Sequence, residues 1–235
     1  MIDLYHTKLL DCHKGEFAFV VGAGTSLYGL DLDPIHEHVV IAVNSSILMM
    51  PWNEGGSARR FWISNDALCR MWSWWPLVLN AKATKIVRNS WQKYFPELHG
   101  KNFFQFDPRR TEEGVIEDDD LGLCYCSSVP SGIDLAIKMG CKQVLLLGVD
   151  QYMVGGKSHY FQYWPLSKQP RRTDRGMATH AQQKWTFGYN DKAYPALSSH
   201  ADRLGVKIWN CNPKSRVESF EKIDYNSAVK MVVKT

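Results

Sequence analysis

No run of roughly 18 or more consecutive apolar residues occurs in this 235-residue chain, so the sequence offers no candidate for a membrane-spanning helix. Cysteine is sparse. The six residues (Cys12, Cys69, Cys124, Cys126, Cys141, Cys211) form no C-x-x-C pair, which argues against a zinc ribbon or a dithiol redox motif. We read them as reduced thiols of a cytoplasmic protein, with metal binding the lesser alternative. An excess of one charge is missing too: the net charge of +4 gives nucleic acid no special claim as a partner. The first residues carry Asp3, His6 and Asp11 and no small-residue cleavage site, so no secretory leader is read there. Internal repeats and low-complexity segments are also absent.

What is present is ample core material. Hydrophobic residues make up 45% and charged residues 22%, which suits one folded domain over residues 1–235. The central stretch is Gln143 to Tyr160. An unbroken apolar run, Val144 to Leu147, leads into Gly148 and Asp150 and then a loop with Tyr152, Gly155, Gly156 and Tyr160. Such a run reads as a strand buried on both faces, as in a parallel sheet covered by helices. Ligands of open α/β sheets sit outside the carboxyl ends of the strands. Asp150 and the two phenols therefore fall where a nucleotide or sugar would bind, unless Asp150 caps a turn and the tyrosines only pack.

The same unit recurs along the chain. Strands are predicted at 16–21, 39–43, 60–63, 84–88, 102–106 and 206–209, and helices at 128–139 and 191–204, with a further helix after His180 and one in the tail. Polar residues follow the strands: Gly22 to Leu27 after the first, Asn44 after the second, Ser64, Asn65 and Asp66 after the third. Strand, polar turn, helix and strand in repetition predict a Rossmann-like, mostly parallel α/β sheet with helices on both faces. Residues 153–180, with Pro165, Pro170 and several basic residues, read as a lid-like excursion. Glycines at 22 and 24 allow a sharp turn with exposed amides, but Leu27 replaces the third glycine of a dinucleotide fingerprint, which disfavours NAD. Ser131 and Gly132 at a helix start predict an anion site. The Trp72, Trp74, Trp75 cluster reads as packing or as a stacking wall. Arg171, Arg172 and Arg175, and likewise Asp118 to Asp120, read as solvated loops.

In order along the chain, these motifs resemble the bacterial sialyltransferases that use CMP-sialic acid and the wider group that includes 6-hydroxymethylpterin diphosphokinase-like proteins. The matching pieces are Gly22 to Leu27, Asn44, Ser131-Gly132, Met139 to Val144, Gly148 to Tyr152, and Asn212 to Ser215 with Phe220. The sialyltransferases carry Asn where this chain has Ala23. The resemblance implies that Gly22, Gly24, Thr25, Ser26, Asn44, Ser131 and Gly132 hold the nucleotide. It implies that Tyr152 and Tyr160 bind the leaving phosphate and that His180 is the general base, with His159 in reserve. Asn65, Asp66 and Asp150 join the donor-binding set as strand-end residues.

The function expected is metal-independent, inverting transfer of a sugar from a nucleotide-activated donor, CMP-linked if the resemblance holds, to an acceptor glycan or another hydroxyl compound, with no cofactor. A histidine suits the base because its pKa lies nearest neutrality. Two alternatives remain open: a pterin-type pyrophosphotransferase needing ATP and Mg²⁺, and a nucleotide-binding module without turnover. A homo-oligomer is left open as well.

Overall fold

The computed structural model describes residues 8–50, 57–89, 91, 103–109, 122–124, 127–174 and 180–233, with the backbone alone at 57, 107–109 and 180–185. Nine strands form one sheet: β1 (Phe17–Val21), β2 (Val39–Val43), β3 (Arg60–Ser64), β4 (Thr84–Arg88), β5 (Phe103–Arg109), β6 (Gly122–Cys124), β7 (Gln143–Leu147), β8 (Lys207–Asn210) and β9 (Glu221–Lys222). Their order across the sheet is β6-β5-β4-β3-β2-β1-β7-β8-β9, and every pairing is parallel. Val20 sits opposite Ile41 on one side and Leu146 on the other.

The period of two sorts each strand's side chains between two cores. Ala18, Val20, Ile41, Val144 and Leu146 face one core, which includes Ile133 and Ala136 of α2 (Ser128–Lys138) and Ala193 and Leu197 of α3 (His180–Arg203). Phe19, Val21, Val40, Leu145 and Leu147 face the other. There they meet Val78 of α1 (Trp75–Asn80), Ala228 of α4 (Tyr225–Val233) and a group of tryptophans. Both faces are covered, which is why β2 and β7 read as continuous apolar runs. Gly132 lets α2 lie close on the sheet, since a Cβ there would meet Val20 Cγ1 at 3.2 Å.

Differences from the sequence reading are local. The helix expected at 191–204 and the one expected after His180 are one continuous helix, which carries Pro195 inside it. α1, β6 and β9 were not anticipated. Trp75 to Leu79 is apolar all round and shows no helical period, and strands of two or three residues carry too few positions for an alternation. The excursion after β7 is anchored at two points. Tyr160 and Phe161 are buried in the tryptophan-rich core, and the Ser73 amide donates to Arg171 O at 2.8 Å and the Thr173 amide to Met71 O at 2.9 Å. No helix among the described residues is long and apolar enough to cross a membrane.

Candidate functional site

Chain direction across the sheet reverses between β1 and β7: β2 to β6 lie on one side of β1, and β7 to β9 on the other. The carboxyl ends flanking such a switch point open into a crevice. Here it is a cavity of about 710 Å³, within the size range of small-molecule sites. Each neighbouring strand end supplies part of the lining: Gly24 after β1, Asn44 after β2, Asn65 and Asp66 after β3, Arg88 at the end of β4, and Asp150 and Tyr152 after β7. Ser127 to Val129 at the start of α2, and Phe187 and Asn190 of α3, complete it.

Asp150 is buried and acts as a knot. Its carboxylate accepts from the Ser26 amide (2.8 Å), Ser26 Oγ (2.6 Å), Thr25 Oγ1 (3.3 Å) and Asn212 Nδ2 (2.8 Å). Thr25 and Ser26, expected to hold the nucleotide, are engaged with this carboxylate. An internal carboxylate already occupies the anion position of the glycine turn, so those donors hold β7 to β1 and do not line the cavity. It also explains the glycines. A Cβ on Gly24 would stand 2.4 Å from Asp150 Oδ2, and one on Gly22 would stand 2.5 Å from Gly148 O. The pattern that reads as a phosphate loop is here a demand for close approach of backbone and carboxylate.

A hydrogen-bond relay ties β2 and β3 to α2. Ser128 Oγ donates to Asn44 Oδ1 (3.3 Å) and accepts from the Asn65 amide (2.9 Å). Asn65 Nδ2 donates to Ser127 O (3.0 Å) and Ser131 Oγ (2.8 Å). Ser131 is fully buried and Gly132 packs on the sheet, so neither lines the cavity. The helix starts three residues earlier than the anion site expected at Ser131. The amides that a helix start leaves without intrahelical partners belong to Ser128 and Val129, because Ser127 is the cap. Asp66 lines the cavity and caps the next turn, accepting from the Leu68 amide at 2.9 Å.

The two tyrosines separate. Tyr152 Oη, at the cavity wall, accepts from Asn212 Nδ2 at 3.2 Å. Tyr160 is fully buried and its hydroxyl donates to Ser45 O at 2.8 Å. Burial pushes that phenol's pKa far up. Tyr160, expected at the leaving phosphate, thus braces the Asn44 turn from beneath. Tyr160→Phe should remove this buried hydrogen bond and cost about 0.5–1.5 kcal/mol of stability, seen as a lower Tm, with ligand binding unchanged.

His159 lines the cavity beside Ser158, whose Oγ lies 2.7 Å from His159 Nδ1, and packs on Phe161 with ring centroids 5.1 Å apart. Burial lowers its pKa to about 4, so it stands neutral at pH 7. His180 is the first residue of α3, and its side chain lies outside the described residues, as does the Asp118 to Asp120 run. Among the described residues, no group of three His, Cys, Asp or Glu side chains is arranged to hold a metal ion. Cys69 also lines the cavity. Its thiol is buried and pushed up by desolvation, so it is no nucleophile at neutral pH.

Several lining residues escaped the sequence reading. Arg88 ends β4 just as Asn44 follows β2, so the strand-end argument, carried one strand further, would have found it. Arg172 belonged to a basic cluster read as solvated. In the structure its side chain is 7% exposed, its Nε donates to Asp174 Oδ1 at 2.7 Å, and its guanidinium lies 5.7 Å from the Trp72 ring centroid. Trp72 and Trp74 stack with centroids 6.3 Å apart and line the same wall. Gln151 and Asn190 carried no local signal.

No protein-family model matches the chain, and no curated protein matches its sequence. Among solved structures it is similar to the MAf glycosyltransferase from Magnetospirillum magneticum AMB-1, at 14% identity and a TM-score of 0.58. The likeness covers 97% of this chain and 39% of that one, so the chain spans well under half of its neighbour. At this identity the likeness establishes the fold.

Proposed function

We propose that the chain is a metal-independent glycosyltransferase that uses a nucleotide-activated sugar, with CMP-linked donors the first to try. The observation that carries this reading is the Tyr152 hydroxyl. Because it accepts from Asn212 Nδ2, its own proton is left to donate to a departing phosphate on the cavity side. Ser128 and Val129, whose amides open the α2 helix, belong to the same lining, and Arg88 adds a guanidinium to it. Fixed donors and cations around a site of developing negative charge are the main requirement for expelling a phosphate. That the structural neighbour is a glycosyltransferase agrees with this reading.

In the step proposed, an acceptor hydroxyl oxygen bonds to the anomeric carbon from the face opposite the phosphate. The carbon–oxygen bond to phosphate breaks, and its electron pair leaves with the nucleotide. The acceptor's proton passes to a histidine. We assign that role to His159, which lies in the lining and stands neutral, while His180→Ala serves as the comparison because the family resemblance favours that residue. The aromatic wall of Trp72 and Trp74 suits a nucleobase.

The test is incubation with CMP-sugars, followed by UDP- and GDP-sugars, reading acceptor-dependent release of nucleotide. Turnover with one donor supports the proposal, and no turnover with any donor across a broad acceptor set removes it. Tyr152→Phe should lower kcat about 100-fold with little change in KM, since its proton is used mainly as charge develops on the leaving group.

A further inference from the structure

One end of the cavity contains a hydrogen-bonding deficit that the roles above do not use. Gln151 follows the Asp150 knot with a φ of +57°, in the left-handed region that residues with a side chain seldom adopt. Its side chain is buried against α3, where Nε2 donates to Phe187 O at 3.2 Å and to Asp191 Oδ1 at 2.6 Å. Turning the amide over would set its oxygen against both of those acceptors, so Oε1 is fixed as the other pole. That oxygen is buried and has no hydrogen-bond partner among the described residues. Asn190, next to Asp191 on α3, is 6% exposed, and its Oδ1 also has none among them. Both residues line the cavity.

Buried amide oxygens without donors are rare in native proteins, and backbone strain gathers at functional sites. Two such oxygens on neighbouring elements, one held by a left-handed residue, mark a place completed by something else. The missing partner must bring N–H or O–H groups. A phosphate or carboxylate brings none and would be repelled by Asp191 beside Gln151.

We infer that the Gln151–Asn190 corner is a subsite for a neutral, donor-bearing part of the ligand, a polyhydroxyl or acylamino group. On the glycosyltransferase reading, on which this rests, that group belongs to the transferred sugar and not to the nucleotide. Position decides between the two. Gln151 adjoins Tyr152 on the β7 side of the switch point, whereas the aromatic wall and Arg88 lie toward β3 and β4. β3 and β7 are three strand spacings apart, roughly 14 Å. A phosphate near Tyr152 and the α2 start leaves the tryptophan side for the base and the Gln151 side for the sugar.

The test is calorimetric titration of CMP and of CMP-sialic acid, or of whichever nucleotide and nucleotide sugar the donor screen selects. Asn190→Ala and Gln151→Met should each weaken the nucleotide sugar about 10-fold in Kd, the scale of one lost hydrogen bond, and leave the bare nucleotide within about twofold. Asn190→Asp, which keeps an acceptor oxygen at that place, should retain more affinity than Asn190→Ala. Without ligand, Asn190→Ala should melt no lower than the parent, because an unmet acceptor is removed. Equal weakening of both ligands, or no change in either, overturns the subsite while leaving the functional reading intact. Failure of the parent protein to bind any nucleotide or nucleotide sugar overturns both.

Discussion

His159→Ala is expected to lower kcat by about 10²–10⁴-fold while leaving donor affinity near that of the parent, the loss typical of a general base. His180→Ala is the companion measurement. If it brings the large loss and His159→Ala brings little, the base is His180 and the assignment made here is wrong. The acid behaviour of His159 gives a second readout that needs no substrate. Burial lowers its pKa from about 6.5 in the unfolded chain to about 4 in the fold. Between those values the unfolded chain binds more protons, so stability rises with pH across the window. The contribution is fully present above about pH 6.5 and is lost as pH falls toward 4. At most about 3 kcal/mol is at stake, less in proportion to the ring's partial exposure to the cavity. Urea titrations of the parent and of His159→Gln, compared at pH 7 and pH 5, should differ in slope in that direction. An anionic donor bound nearby would raise the pKa and make the imidazole a better base.

Asp150→Ala is expected to have the largest effect on stability. The carboxylate collects four donors from two other segments of the chain, the Thr25–Ser26 turn and Asn212. Truncation leaves them, partly or wholly buried, without this acceptor, and hydrogen bonds to a charged group are worth about 1.5–3 kcal/mol each. A net loss of about 3–5 kcal/mol is expected after partial relaxation, a large share of the stability of an ordinary domain. Thermal melts and urea midpoints measure it. Asp150→Asn should fall in between, since one amide oxygen can keep some of the donors while its NH₂ meets the others unfavourably. A variant that melts like the parent would mean that the knot is not what joins β1, β7 and the Asn212 turn. Nucleotide binding should fall along with stability, because Gly24, Tyr152 and Asn212 are positioned through the same carboxylate.

Strand-end polar residues that look alike in sequence fall into two classes in the structure. Thr25, Ser26 and Asp150 are strand-end polar residues, as are Asn44 and Asn65, and all invite the same role. The first three satisfy one another across 124 and 125 residues of chain. Asn44 and Asn65 are linked through Ser128 and still face the cavity.

By itself the sequence determined the layered fold and the rim on which the candidate site lies. Apolar runs such as Val39 to Val43 and Val144 to Leu147 admit little other than strands covered on both faces, and polar residues just past them must lie at one rim. These are short-range consequences of the two-residue strand period and of connection length, so they are visible without coordinates. Only the tertiary structure decided which rim residues are spent on the protein and which are left for a ligand. Tyr160 and Tyr152 are both phenols in one loop, yet one meets Ser45 O and the other keeps its proton free. Gln151 meets Phe187 and Asp191 only because α3 packs beside the end of β7. Whether a hydrogen-bonding group is satisfied depends on what the fold brings within about 3 Å of it, and residues far apart in the chain supply that partner.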